Sequence, residues 1–189
     1  MSIRSFIAIE IPDEIKESLR RTQQQLRSAD VKVRWVDHRN IHLTMKFLGD
    51  VSDSDIPKIC EVVKAAAAAT PPFGLEVAGL GTFPRKGPPR IIWAGVEGAL
   101  ETLGRLAEDI EGGLAEEVGI RPEHRAYHPH LTLGRVKSTR GVDQLAQTMR
   151  KCDSSDFGGF TAKNITLFMS ELSPGGAIHT PMATMAFEG

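Results

Sequence analysis

The chain has almost no cysteine. Cys60 and Cys152 are the only two in 189 residues, far apart and without CxxC or metal-ligand spacing. This excludes a disulfide-stapled scaffold and leaves both thiols as reduced packing residues of a reducing compartment. An excess of one charge is also lacking. The 23 Lys and Arg against 24 Asp and Glu give a formal net charge of −1. No global positive field recruits long nucleic acid, so any such contact must come from a local basic patch. Long apolar runs are missing too. The longest, the alanine tract at residues 65–69, falls far short of the ~20 residues that span a bilayer. The first ten residues, broken by Arg4 and Glu10, are too short for a signal peptide. A cytoplasmic protein without a membrane partner is expected. Neither HExxH nor a Cys/His ligand cluster occurs, so no metal or cofactor is expected.

What the chain does have is one tetrapeptide pattern twice: His42-Leu43-Thr44-Met45 and His130-Leu131-Thr132-Leu133. Each copy lies in an alternating segment, residues 41–48 and 130–136, that reads as a β-strand. Side chains two apart on a strand share a face, with Cα atoms ~6–7 Å apart. His42 therefore lies beside Thr44 and His130 beside Thr132, while Leu43, Met45, Leu131 and Leu133 point into a core. If the halves fold alike and pair, two His-Thr faces confront each other across a cleft. That arrangement suits phosphoryl chemistry. One imidazole takes a proton, the other gives one, and two hydroxyls hold phosphate oxygens.

Periodicity gives strands over residues 3–11, 32–36, 73–80, 90–96, 163–172 and 182–187 beside the two motif strands. Helices are expected from Pro12 with apolar stripe Ile15, Leu19 and Leu26, then over 53–69, 100–118 and 142–151. Gly49-Asp50 should end the first motif strand. A Gly/Pro-rich loop at 79–89 and a second loop at 121–129 separate the remaining elements. The 41% hydrophobic and 25% charged content is ordinary for a globular chain. One bilobal domain over residues 1–189 is expected. Its fold class is α+β, with two pseudo-symmetric lobes whose antiparallel sheets line a central groove and whose helices lie outside.

The chain resembles the two-histidine (2H) phosphoesterases, in particular the LigT-like RNA 2′,3′-cyclic phosphodiesterases. The resemblance rests on Phe6-Ile7-Ala8-Ile9, Arg34-Trp35-Val36, the run from His42 to Gly49, Gly81-Thr82-Phe83-Pro84 with Pro89-Arg90, and Trp93. Pro129 to Arg135 and Ser170-Glu171-Leu172 complete it. It implies a bilobal fold and metal-free hydrolysis of RNA 2′,3′-cyclic phosphate ends to 2′-phosphates. Some members also join tRNA halves reversibly through a 2′,5′ linkage. Carried over residue by residue, it makes His42 the proton donor and His130 the proton acceptor. Thr44, Thr132 and Arg135 then bind phosphate. RNA ends or short oligonucleotides, tRNA halves among them, are the expected partners of a monomer. One departure is Ile178-His179-Thr180, where many members carry an aromatic residue near position 179.

Lys32, Arg34, Lys46, Arg85, Lys86, Arg90, Arg135 and Lys137 are candidates for a basic rim, and Phe83 and Tyr127 for stacking on a base. His128 shares strand parity with His130 but reads as a loop residue. His38 and His124 read as solvated loop residues, and Asp50 as a turn residue. Two other functions fit part of the pattern: a binding module for RNA terminal phosphates without turnover, and a metallohydrolase using His42, His128, His130 and Asp50. The latter leaves both threonines without a use.

Overall fold

The computed structural model describes residues 2–123, 125–138, 140–152, 156–174 and 176–189. The first half of the chain gives β1 (Ser2–Glu10), α1 (Asp13–Leu26), β2 (Val33–Trp35), β3 (His42–Ser52), α2 (Ile56–Ala68) and β4 (Phe73–Phe83). There follow β5 (Ile91–Gly98), α3 (Leu100–Glu117), β6 (His130–Val136), α4 (Val142–Cys152), β7 (Asp156–Ala162), β8 (Asn164–Ser173) and β9 (Gly176–Ala186). The helices begin and end where simple chemistry asks. Pro12 precedes α1, and Asp13 and Glu14 occupy its first turn, where acids meet the positive end of the helix dipole. On α3 the buried residues are Leu103, Leu106, Ala107, Ile110 and Leu114, the stripe its periodicity specifies.

The strands form two antiparallel sheets, ordered β3-β1-β8-β9 and β2-β6-β5-β4-β7. This is the expected mixed α+β architecture. With β2 set aside, the two orders correspond strand for strand: β3 to β6, β1 to β5, β8 to β4 and β9 to β7. Each half contributes its first strand and its motif strand to one sheet. A later strand of each half crosses over: β4, after α2, joins β5, and β8, after α4 and β7, joins β1. Neither half therefore folds around its own sheet. One hydrophobic cluster includes Ile7, Ile9 and Leu43 from the first sheet with Leu75, Ile92 and Leu131 from the second.

Four boundaries depart from the sequence reading, the first being that β4 runs on to Phe83 where a loop from residue 79 was expected. β3 does not stop at Gly49-Asp50: Gly49 takes a positive φ of 72° and the strand continues to Ser52. β7 was not expected, because Gly158 and Gly159 have poor strand propensity. Pairing along β4, from Phe73 with Ala162 to Val77 with Gly158, holds it in place. β9 starts at Gly176 rather than near residue 182. Pro181, which argues against a strand, is tolerated because β9 is an edge and its register shifts beside that residue.

Candidate active site

Both motif strands carry a β-bulge at the fourth residue of the tetrapeptide. Along β1, Ala8 pairs with Thr44 but Ile7 with Lys46, leaving Met45 unpaired. Along β5, Trp93 pairs with Thr132 but Ile92 with Gly134, leaving Leu133 unpaired. A bulge shifts side-chain parity by one residue. His42 and Thr44 thus share one face, and Phe47, three positions beyond Thr44, returns to it beside Phe6. In the other strand Arg135 takes the place equivalent to Phe47. The two bulges thus give one flank a phenyl ring and the other a guanidinium. β3 and β6 approach to Cα separations within 8 Å. An open cavity of about 1700 Å³ takes in His42, Thr44, Thr132 and Arg135.

The two histidines are held alike. His42 Nδ1 lies 2.7 Å from the Asn40 carbonyl oxygen, and His130 Nδ1 lies 2.7 Å from that of His128. A carbonyl only accepts, so both Nδ1 atoms carry the hydrogen. Each Nε2 is left to take a proton when neutral and to give one when charged. His42 is stacked on Phe6 at 4.6 Å, and Phe6 in turn on Phe168 at 5.2 Å. Phe6, Ala8 and Phe168 form a separate buried cluster on this face. Burial drives the His42 pKa down to about 4 against the opposing pull of the Asn40 carbonyl, with His179 and Lys16 adding repulsion. His130, whose ring meets the edge of Phe83 at 5.0 Å, is also pushed below its ordinary value by burial. The His128 carbonyl opposes this, while the charges of His128 and Arg135 add to it.

Several expected residues sit elsewhere. Lys46 is no rim residue: it is 4% exposed, because the bulge turns it to the Ile7 side. Its Nζ lies 2.8 Å from Glu111 on α3, donates to the Arg121 carbonyl at 3.3 Å, and lies 3.8 Å from Glu123. Tyr127 is not free to stack. Its hydroxyl donates to the Thr44 carbonyl at 3.0 Å, and burial raises its pKa well above the ordinary phenol value. Phe83 packs between His130 and Trp93. Asp50 is a strand residue opposite Arg4, and His38 lies 3.5 Å from Asp37. Arg34 lines the cavity, whereas Lys32, Arg85, Lys86, Arg90 and Lys137 do not. His128 is exposed and contributes its carbonyl; His124 lies outside the described residues. Among those residues no group of three or more His, Cys, Asp or Glu could hold a metal ion.

Sequence reasoning gave no role to His179, whose ring stands edge-on to Phe6 at 4.8 Å and to His42 at 5.5 Å. It named Leu172 and Ile178 only within the resemblance and gave them no role, whereas both line the cavity wall, 75% and 53% exposed. Exposed large apolar side chains beside a polar cleft were the one available signal. Gln23, a buried helix residue that looked unremarkable, donates to the carbonyls of Val36 at 2.8 Å and of the bulged Leu133 at 2.9 Å.

A sequence model described as LigT-like phosphoesterase matches residues 9–93 and 95–179, each stretch holding one motif. The chain belongs to the LigT-like phosphoesterase family. Among its relatives, the RNA 2′,3′-cyclic phosphodiesterase of Methanothermobacter thermautotrophicus is 36% identical over 182 residues, covering 96% of this chain and 97% of its own. The protein of the same name from Methanocaldococcus jannaschii is 34% identical over 177 residues, covering 94% and 96%. Among solved structures, a Thermus thermophilus protein superposes with a TM-score of 0.81 at 27% identity over 98% of both chains. E. coli LigT complexed with 3′-AMP also gives 0.81 over the full length of both, its 24% identity supporting the fold alone. This LigT-like chain has, among its described residues, no helix long and apolar enough to cross a membrane.

Proposed function

We propose that the chain is an RNA 2′,3′-cyclic phosphodiesterase that opens the cyclic phosphate to a 2′-phosphate without a metal. The observation that carries this reading is the matched pair of imidazoles. Each is fixed in one tautomer by the carbonyl two residues back and accompanied on its strand by a threonine. Water attacks phosphorus as His130 Nε2 takes its proton; the P–O3′ bond breaks as His42 Nε2 gives a proton to O3′. The product carries a 2′-phosphate and a free 3′-hydroxyl, and the two rings exchange protons with solvent to reset. Thr44 and Thr132 donate to the non-bridging oxygens, and Arg135 offsets the charge of the phosphate. An RNA 5′-hydroxyl in place of water would give a 2′,5′ linkage, as in the joining of tRNA halves. Protonation of His42 is uphill in the empty groove, and the bound phosphate anion is what makes it a donor.

The test is turnover of 2′,3′-cyclic nucleotides with the product identified by phosphorus NMR, before and after exhaustive EDTA treatment. Activity that survives chelation and yields a 2′-phosphate is expected. Loss on chelation with rescue by a divalent ion would return the metallohydrolase reading, and binding without turnover the binding-module reading. His42→Ala and His130→Ala should each lower kcat by roughly 10²–10⁴. The double variant should cost less than the product of the two, because both rings serve one transition state. Thr44→Ala and Thr132→Ala should be milder.

A further inference from the structure

The groove is far more basic than the chain as a whole. Against a net charge of −1, its lining holds six arginines and one carboxylate, Asp37. Two of the six are neutralised, Arg39 by Asp37 and Arg20 by Glu17. Arg27, Arg34 and Arg135 have no ion-pair partner among the described residues, nor does Arg4, which lies on the other flank opposite Asp50 of β3. Arg34 and Arg135 lie directly opposite each other on β2 and β6. Like charges in that position repel and cost stability. The bulge at Leu133 is what brings Arg135 onto the groove face, and β2 has no counterpart in the other sheet, so the pair exists on one flank only. The guanidinium of Arg27 is laid over the Trp35 ring at 5.2 Å, and Trp35, paired with Gly134, faces the other side of β2 from Arg34. The opposite flank presents Phe47, Leu172 and Ile178 instead.

We infer that Arg34, facing Arg135, forms a second phosphate subsite that takes the phosphodiester one nucleotide upstream of the cyclic end. The substrate class is then an oligonucleotide of at least two residues rather than a cyclic mononucleotide. The inference rests on the proposed function for what occupies the catalytic pair. Arg135 stands between the two positions, three residues from Thr132 and one strand, about 4.8 Å, from Arg34. An anion there relieves the repulsion between the two guanidiniums and receives their paired N–H donors. The more basic flank also gives the RNA a direction: the chain leaves the site over β2, and the terminal base lies toward Phe47.

The experiment compares kcat/KM for a 2′,3′-cyclic mononucleotide and for a dinucleotide ending in the same cyclic nucleotide, in wild type, R34Q, R34K and R27Q, at two salt concentrations. Wild type should favour the dinucleotide by about tenfold or more, the worth of a charge-assisted phosphate contact. R34Q should erase most of that advantage through KM and leave the mononucleotide unchanged, R34K should restore part, and R27Q, across β2 from the subsite, should leave the advantage in place. The dinucleotide's salt dependence should lose roughly 0.7 in log–log slope in R34Q, the share of one single-strand phosphate. Equal wild-type rates on the two substrates, or an R34Q loss shared equally by both, would overturn the subsite. If wild type turns over neither substrate, the hydrolase reading fails on its own. The subsite is then judged by binding of a dinucleotide 2′-phosphate against the mononucleotide. It stands if R34Q weakens only the former and falls if it weakens both or neither.

Discussion

At the scale of single residues, the proposed chemistry rests on two imidazoles whose pKa values burial lowers. An anionic phosphate stabilises the charged ring, so the pKa of each histidine rises when the groove is occupied. kcat/KM reports the free enzyme and kcat the complex. The bell for kcat/KM should therefore peak below pH 6.5 and that for kcat at higher pH, both measured on a cyclic dinucleotide. A kcat/KM maximum above pH 7 would remove burial as the governing term. The same shift has a stability signature. The folded pKa of His42, about 4, lies below its unfolded value of about 6.5, so folding favours the neutral ring. Its contribution is complete above pH 6.5 and is lost as pH falls through 4, up to about 3 kcal/mol. Urea midpoints at pH 7.5 and 4.5 should differ less in His42→Asn than in wild type. Tyr127 acts one step away. Its hydroxyl ties the segment before His130 to the Thr44 carbonyl, and the neighbouring His128 carbonyl fixes the His130 tautomer. Tyr127→Phe should lower kcat severalfold with little change in KM and shift the limb assigned to His130. An unshifted profile would make the bond merely structural.

At the scale of elements, the bulges decide which residues face the groove, and the parts around them hold the bulges in place. Gln23 of α1 satisfies the carbonyl of bulged Leu133. Lys46, turned inward by the bulge at Met45, fastens β3 to Glu111 of α3 and to the segment that leads to His130. Removing one partner of a buried pair leaves the other uncompensated. Glu111 retains some exposure, so Lys46→Met should cost about 1–3 kcal/mol rather than the full penalty of a buried orphan. Adding Glu111→Gln should recover part of it, read from urea midpoints at constant slope. Full additivity of the two substitutions would show that the pair does not couple.

At the scale of the whole molecule, the exchange of β4 and β8 between the sheets means that neither half can close its own sheet. One apolar cluster runs through both. Unfolding should therefore be a single cooperative transition. Trp35 and Trp93 both lie in the second sheet, so their fluorescence reports that sheet, whereas far-ultraviolet circular dichroism reports both. The two urea curves should coincide. Separate midpoints would mean that the sheets unfold independently despite the exchange.

The sequence alone determined the parts governed by local rules. The helical stripe of α3 and the two His-x-Thr strands follow from periodicity, because side-chain direction within a helix turn or a strand pair of residues is fixed by backbone geometry. The pairing of His42 with Thr44 and of His130 with Thr132 was legible for that reason. Beyond the threonines the strict alternation fails. It places Lys46 on the groove face and Phe47 with Met45 on the core side, whereas the bulge reverses them, and a bulge depends on how β1 and β5 pair across the strand. β7 and the start of β9 were hidden by Gly158, Gly159 and Pro181, whose weak local preferences are overridden by pairing to β4 and β8. The exchange of strands, the stack of Phe6 under His42 and the facing of Arg34 with Arg135 join residues far apart in the chain. Only the tertiary structure decided them, because register between distant strands is set by burial of the whole apolar set at once.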